Sequence, residues 1–422
     1  FKPEPYWWDR TPRPTALESS LPDQADVVIV GSGYTGLNAG LVTSRAGLST
    51  VIVDAEQPGW GCSSRNGGQV SGEVKPSYKA LARLHGPAQA YAIIAEARSA
   101  LRWVGDFIND EGIDCDYRHC GRFHAAHSAQ QYTTQKQEFK SQVKGLERDG
   151  HLVDKTQIRN EVDSPFYHGG LVISEHASLD PARYHQGLYE RALASGCHVV
   201  DNCRVQNIVR NTDGFNLSTA KGQIRAGKVI VATSGYTGSA TPWHQRRIIP
   251  IGSYMLATEM LDPDLARSLI PNDRVVSDTR KLVVYYRLSP DGHRILFGAR
   301  VSHKETDPIS SAGPLRLEML RIFPQLADAK ITHSWMGFVG YTFDKLPHLG
   351  EDKGLFYAMG YCGSGICLSS YFGHRLGQQA LGIPDATIPM NGLRFETRPF
   401  YHGNPWFLGP TIRYYQIRDR FN

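Results

Sequence analysis

The run Gly31-Ser32-Gly33-Tyr34-Thr35-Gly36 spaces three glycines as G-x-G-x-x-G. Glycines at that spacing let an anion approach the backbone, and a helix opening there would aim its amide groups and positive dipole end at it. The same spacing also suits a tight turn without any ligand. Asp54 follows Gly31 by 54 − 31 = 23 residues, near the roughly 20 that separate phosphate-binding glycines from an acid that holds a ribose hydroxyl. Behind it, Ser63, Ser64, Arg65 and Asn66 offer hydroxyl, guanidinium and amide donors, and Gly67-Gly68 lets the chain pass under a flat ring. A polar surface loop would have the same composition. The seven cysteines form no C-x-x-C pair and no metal-ligand rhythm, so free thiols in a reducing compartment and no metal are expected.

Those residues need elements to hold them. Asp26 to Val30 is a short apolar run ending in glycine, as a buried parallel strand does. A helix over Gly36 to Ala46 follows, Gly47 ends it, and "STVIVDA" is a second strand closing on Asp54. From about Pro76 to Asp149 the pattern is helical and polar, as in an insertion. Asp180-Pro181 opens another helix, the strand-like "CHVVDNCRVQNIVR" follows, and Val229 to Ala232 is a third buried strand stopping at Thr233-Ser234-Gly235. Between Arg247 and about Pro324, alternating β-type runs with a turn at Pro290-Asp291-Gly292 indicate a second sheet. The final third returns to glycine-rich loops.

With 422 residues and 41% hydrophobic content, the chain can bury more than one core, so two domains are expected. The net charge of +5 is spread along the chain and suits an anionic cofactor or substrate better than a nucleic acid. No apolar stretch approaches the roughly 18 residues of a membrane span. A cytoplasmic location is expected, and Phe1, with no Met before it, leaves open whether a segment was removed.

The stretches "VIVGSGYTGL", "GCSSRNGGQ", "DCDYRHCGRF", "DLARSLIP", "YYRL", "FPQL" and "YYQIRDRF" resemble, in order and spacing, the flavin-dependent D-amino-acid oxidase, glycine oxidase and sarcosine oxidase superfamily. Within it the resemblance is greatest to the γ-glutamylputrescine oxidoreductase group. It implies an α/β plus α+β protein, in which a Rossmann-like FAD domain of the glutathione-reductase type is interleaved with a mostly antiparallel substrate domain. The FAD domain would take residues 1–80, 150–246 and 330–422, and the substrate domain 81–149 and 247–329. FAD would lie extended, with Gly31, Gly33, Thr35 and Gly36 at its pyrophosphate and Asp54 and Ala55 at the ribose. Val205 would face the adenine, and Thr233, Ser234 and Gly235 the second crossing of the sheet. Ser63, Ser64, Arg65, Asn66, Gly67 and Gln69, with Gly337, Gly363, Ser364, Gly365 and Ile366, would border the ribityl chain and ring. A helix amino terminus at "GYCGSGIC" would stabilise the negative charge of the reduced ring.

The departures carry as much. Gly363-Ser364-Gly365 replaces the family's common G-H-G. Gly337 stands where sarcosine oxidases attach flavin through cysteine, so attachment of that type is not expected. Leu296 matches their oxygen-activating lysine, which leaves the acceptor open between dioxygen and another electron acceptor. Val339 and Cys367 occupy the positions of two family carboxylate anchors. Arg300 is the remaining candidate for an anionic substrate group, and Tyr254 and Trp335 are candidates for the pocket wall, with a salt-bridged strand end and core packing as their alternatives. His303, His348 and His374 receive no role, because an amine that arrives neutral needs no general base. The expected activity is hydride transfer from the carbon beside an amine to flavin N5, with imine hydrolysis and hydrogen peroxide as the product of reoxidation. The expected substrate is γ-glutamylputrescine or a similar carboxylate-bearing amine. Oxidation of pipecolate, proline or sarcosine is the alternative, and a flavin subunit of an electron-transfer assembly is the alternative of another class.

Overall fold

The computed structural model describes residues 1–14, 19–302 and 305–421. Strand Gln24–Val30 pairs in parallel with Thr50–Val53 on one side and Gly222–Val231 on the other, and His198–Val200 extends the sheet beyond Thr50–Val53. Leu355–Met359 joins Gly222–Val231 in parallel, and His348–Asp352 closes that edge. The alternation of a strand decides which side chains go where: Val27 and Ile29 enter one core and Val28 the other. All three are fully buried, at about 2 kcal/mol of hydrophobic stabilisation each. Helices Tyr34–Arg45, Pro181–Ala194 and Gly365–Ala380 cover the first face, and the hairpin Val205–Asn211/Gly214–Thr219 covers the second.

A second eight-stranded sheet runs in the order Ile331–Tyr341, Ile249–Thr258, Ile295–Ala299, Tyr285–Leu288, Val275–Asp278, Arg122–Ala125, Gly169–Ile173, Gly150–Asp154. Its pairs are antiparallel except Val275–Asp278 with Arg122–Ala125. Helix Pro308–Ile322 packs Leu315, Met319 and Ile322 on the outer face, against Phe123, Tyr254, Tyr286 and Phe297. The other face carries Arg122, His124, Ser253, Met255 and Tyr285, one residue out of phase with those apolar neighbours.

The pairings depart from the sequence expectation at three points. Gly150–Asp154, Gly169–Ile173 and Ile331–Tyr341 lie in spans assigned to the FAD domain, yet their partners are in the second sheet. Helix Pro87–Asp110, assigned to the substrate domain, buries Ile93, Ala97 and Leu101 in the core beneath strand Gln24–Val30. Inside the span read as helical, Arg122–Ala125 is a strand, and "CHVVDNCRVQNIVR" divides into His198–Val200 and Val205–Asn211. In each case a short or amphipathic segment specifies its own periodicity but not the core that completes it.

Candidate active site

Gly31 ends the first strand with a φ of 105°, a left-handed conformation open to glycine. Its N–H donates to the Val53 carbonyl at 2.8 Å. A Cβ on Gly31 would lie 3.1 Å from the Ala232 carbonyl oxygen, and one on Gly36 only 1.9 Å from that of Gly31. Strand and helix therefore touch backbone to backbone. Gly33 precedes helix Tyr34–Arg45, whose first N–H, that of Tyr34, donates to Ser63 Oγ at 3.1 Å. The Thr35 and Gly36 amides belong to the same first turn, which has no preceding carbonyls to accept from them. The Thr35 hydroxyl is used elsewhere, sharing a hydrogen bond of 2.7 Å with Tyr361 Oη.

Asp54 braces this turn. Ser32 N–H and Oγ–H donate to its Oδ2 at 2.7 and 2.6 Å, and Glu56 N–H donates to Oδ1 at 3.0 Å across Ala55. Burial raises the Asp54 carboxyl and these donors oppose that rise. From beneath, the His185 Nε2–H donates to the Ser32 carbonyl at 2.8 Å. Val205 opens its strand opposite Thr219.

The second helix terminus is set by a close crossing. A Cβ on Gly373 would stand 2.3 Å from the Thr35 carbonyl oxygen, and one on Gly377 2.6 Å from Val42 Cβ. The contacts advance in the same direction along both helices, so Tyr34–Arg45 and Gly365–Ala380 present their amino termini at the same end of the sheet. Gly365 lies eight residues before Gly373, so its end projects roughly 12 Å past the level of Thr35. Gly363, with φ of 104°, turns the chain into this helix, Ser364 Oγ–H donates to the Glu73 carbonyl at 2.6 Å, and Ile366 packs into the core. Two staggered amino termini, glycines that a Cβ would block, and an acid at the second strand end fit an extended dinucleotide.

The loop after Asp54 is pinned from three directions. Trp7 and Trp8 of helix Tyr6–Arg10 donate their indole N–H groups to the Asn66 carbonyl and Ser64 Oγ at 2.9 and 2.8 Å. Arg65 stacks between the Trp8 and Trp60 rings at 4.6 and 4.7 Å and donates to the Trp60 carbonyl at 2.6 Å. Gln69 Nε2 reaches the carbonyls of Val276 and Tyr286 at 3.1 and 3.2 Å, while a Cβ on Gly67 would stand 2.9 Å from the Tyr285 ring. The aromatic amino-terminal lead thus supports this loop, a role no motif in it signals. Thr233 bonds Thr237 at 2.8 Å, Ser234 has a left-handed φ of 42°, and a Cβ on Gly235 would lie 2.8 Å from the Phe338 carbonyl oxygen. Cys62 Sγ–H donates to that carbonyl at 2.7 Å and lies 3.0 Å from where a Gly337 Cβ would be. Burial pushes this thiol up to about 11, so it is protonated at neutral pH. All seven cysteines are free, and among the described residues no three His, Cys, Asp or Glu side chains converge to hold a metal.

Residues 26–379 match the model of the DAO family, described as FAD dependent oxidoreductases. The chain belongs to the DAO family. FAD is therefore its cofactor, and the protein is an FAD-dependent oxidoreductase. It is 32% identical over 410 residues to gamma-glutamylputrescine oxidoreductase of Escherichia coli K12, covering 94% of this chain and 93% of that protein. It is 24% identical over 367 residues to a subunit of the opine oxidase of Agrobacterium tumefaciens, covering 82% of this chain and 91% of that protein. The glycine oxidase structure from Geobacillus kaustophilus superposes with a TM-score of 0.71 at 19% identity, covering 90% of this chain and 99% of that one. That likeness is one of fold.

The candidate cleft is where the loop at residues 61–69 meets the inner face of the second sheet: a Cβ on Gly67 would stand 2.9 Å from the Tyr285 ring, and Arg65 Nη1 donates to the Met336 carbonyl at 3.2 Å. Tyr285 and Tyr341 are partly exposed on the inner face of the second sheet, and the protein around them desolvates both phenols, raising Tyr285 to about 12 and Tyr341 further. Tyr285 Oη shares a hydrogen bond of 2.9 Å with Ser253 Oγ. Tyr254, one residue on, faces the opposite side. It is fully buried against the outer helix, donates to Glu305 at 2.8 Å and accepts from Thr306 N–H at 2.9 Å. Trp335 is also fully buried, packed with Trp7, Met255 and Leu296, and donates to the Arg65 carbonyl at 2.7 Å. Neither is a wall of the cleft. Leu296 is part of the same packing, without surface.

Arg300 is held by protein partners through Nη1 and Nε, while its Nη2 is buried without a partner among the described residues. Its Nη1 lies 2.8 and 2.9 Å from the two Glu305 carboxylate oxygens and donates to the Gly252 carbonyl at 2.7 Å, while Nε donates to the Ser302 carbonyl at 2.8 Å. A carboxylate already neutralises it, so a substrate anion gains little there. Arg300→Met is expected to lower stability by about 2 kcal/mol, discounted because Glu305 is partly exposed. The Michaelis constant for a carboxylate-bearing substrate should change by less than about threefold, since no anchor is lost. Steady-state kinetics beside a urea melt checks both. His348 stacks on Phe395 at 4.1 Å and pairs with Asp344 at 3.0 Å, and His374 packs on Trp103 at 5.0 Å. His303 lies outside the described residues.

Proposed function

We propose that this protein oxidises the carbon beside the amine of γ-glutamylputrescine or a similar carboxylate-bearing amine, and that the resulting imine is hydrolysed. The observation that carries this reading is the end-to-end similarity to gamma-glutamylputrescine oxidoreductase. The absence of a family-type carboxylate anchor at Val339 and Cys367 is consistent with a substrate whose carboxylate is remote from the reacting amine. FAD, when bound, supplies the two-electron acceptor. Gly31, Gly33, Gly36 and Ser63 would hold its pyrophosphate, Asp54 its ribose side, and the Gly363–Gly365 turn the far end. The chain's own residues would line the place of the reacting carbon: Tyr285 and Tyr341 stand on the inner face of the second sheet, and the packed layer of Met255, Leu296 and Trp335 against Tyr285 would keep water out. No proton acceptor is required if the amine binds neutral. We further propose dioxygen as the acceptor that regenerates the enzyme, with hydrogen peroxide as product.

A second reading, a flavin subunit working within a larger assembly, is favoured by the similarity to a subunit of opine oxidase. Anaerobic mixing of the flavoprotein with γ-glutamyl amines, diamines, pipecolate, proline and sarcosine separates the substrate classes. Bleaching of the flavin by γ-glutamyl amines is expected, and bleaching by α-amino acids alone would refute the assignment. Air should then restore the colour with stoichiometric peroxide; colour that returns only with an added electron carrier favours the second reading.

A further inference from the structure

We infer that Lys75, backed by Arg122, anchors the remote carboxylate of the substrate, a specificity role that rests on the amine-oxidoreductase reading above. Lys75 lies on the loop that follows Gln69–Val70, and its side chain runs beside the glycine-rich turn: Nζ would be 3.7 Å from a Cβ placed on Gly363. Among the described residues outside the glycine's chain neighbours, only Lys75 comes within 4 Å of that Cβ. The side chain keeps exposed surface, yet the surrounding protein desolvates the ammonium and lowers its pKa, with the Arg122 guanidinium adding to the fall. Lys75 thus stands between the Gly363 turn and Arg122 on the inner face of the second sheet. Among the described residues no carbonyl or carboxylate accepts a hydrogen bond from its Nζ.

The charge balance around it is uncompensated. Arg122 enters from the inner face of the second sheet, where its Nη1 reaches Ser277 Oγ at 3.4 Å and its buried Nε has no partner among the described residues. Glu73, the nearby carboxylate, is taken by Arg148 at 2.7 Å. His124 and His176 beside it are held neutral, at about 4 and about 3, by burial first and by Arg122 second. Lys75 thus feels Arg122 and Lys345 against Glu73, a carboxylate already bonded to Arg148. A buried guanidinium nitrogen is ordinarily paired, so the partnerless Arg122 Nε with the Lys75 ammonium beside it marks the place of an anion. The pyrophosphate turn is a different place, because the Gly365 helix terminus beside Lys75 projects well past Thr35, and the flavin end proposed for the Gly363–Gly365 turn is uncharged when oxidised, so it does not itself supply the anion. Arg300, in contrast, already has its carboxylate.

The test uses the flavoprotein with Lys75→Met, Lys75→Gln and Lys75→Arg. Binding is read without turnover, from the change in visible flavin absorption on adding γ-glutamyl-butylamide, which keeps the carboxylate and lacks the oxidisable amine. The same compound with its carboxylate converted to a primary amide is the control. Loss of one charge-assisted contact predicts a dissociation constant about 30-fold higher for the carboxylate ligand in the Met and Gln variants. The amide ligand should change by less than about threefold, and Arg should restore most of the affinity. Equal effects on both ligands, or none, would overturn the role of Lys75. Flavin content and melting temperature of each variant separate a folding defect from a binding one. If no γ-glutamyl amine bleaches the unmodified flavoprotein, the functional reading itself falls; if it bleaches and the Lys75 variants bind as well as it does, only this inference falls.

Discussion

Gly36→Ala protein is expected to purify without colour. The added Cβ would stand 1.9 Å from the Gly31 carbonyl oxygen, 3.1 Å from its carbon and 3.2 Å from Ile29 Cγ2. Two of the three are backbone atoms, so no flexible side chain can swing aside. Relief requires the amino terminus of helix Tyr34–Arg45 to lift from the strand by more than an ångström. That costs at least the roughly 1–3 kcal/mol of ordinary overpacking. It also pulls the Thr35 and Gly36 amides away from the position an anion shares with Ser63. Preorganised amides act only at hydrogen-bonding distance, so an FAD affinity loss of more than about 100-fold is expected. Gly238, where a Cβ meets nothing within 4 Å, supplies the control, and Gly238→Ala should retain flavin. The visible spectrum of the purified proteins and a fluorimetric FAD titration check both. A yellow Gly36→Ala protein with unchanged affinity would remove the pyrophosphate from this turn.

The second large effect is on stability in acid. His176, His185 and His244 are all nearly without surface, and burial lowers them to about 3, about 4 and about 4. Each has a reason to resist a proton. His185 uses Nε2–H for the Ser32 carbonyl and turns Nδ1 to within 2.8 Å of where a Gly59 Cβ would lie. His176 Nδ1 and both ring nitrogens of His244 are buried without partners among the described residues. Folded-state values below the unfolded value of roughly 6.5 mean that the unfolded chain binds more protons between the two. Stability is therefore fully present above about pH 6.5 and is lost as pH falls through about 4. Each histidine removes on the order of 2 kcal/mol by about pH 5. Urea unfolding across that range should show a steep decline, partly flattened in His185→Gln, which keeps a donor for Ser32. A profile flat from neutrality to about pH 5 would contradict this account.

Local rules carried the nucleotide half of the molecule far. Gly31, Gly36 and Asp54 are legible because a βαβ turn is closed by residues within about 25 positions of one another, and glycine spacing there follows from backbone contact. The expected strand Asp26 to Val30 and helix Gly36 to Ala46 appear within two residues of Gln24–Val30 and Tyr34–Arg45. The match to the DAO family bears out FAD as the cofactor. The second sheet was legible as β structure but not as a register. Tyr254 and Ser253 differ by one residue, and only pairing with Ile295–Ala299 and Ile331–Tyr341 turns Ser253 toward the cleft and Tyr254 away from it.

The candidate substrate contacts divide the same way. A sequence shows that Arg300 is a guanidinium at a strand end; it does not show Glu305 reaching back to neutralise it. Lys75 has no motif around it, and its interest arises from Gly363 and Arg122, which are 288 and 47 residues away by position (363 − 75 and 122 − 75). Trp7 and Trp8 read as a Pro-rich aromatic lead, and they become supports of the 61–69 loop only when folded onto it. The sequence by itself determined the glycine turn, the periodicity of the strands and the kinship that implies FAD, because each rests on neighbours in the chain. The tertiary structure decided which cations are already paired, which face of the second sheet meets the 61–69 loop and what braces that loop. Charge compensation and burial depend on groups that meet only after the chain has closed on itself.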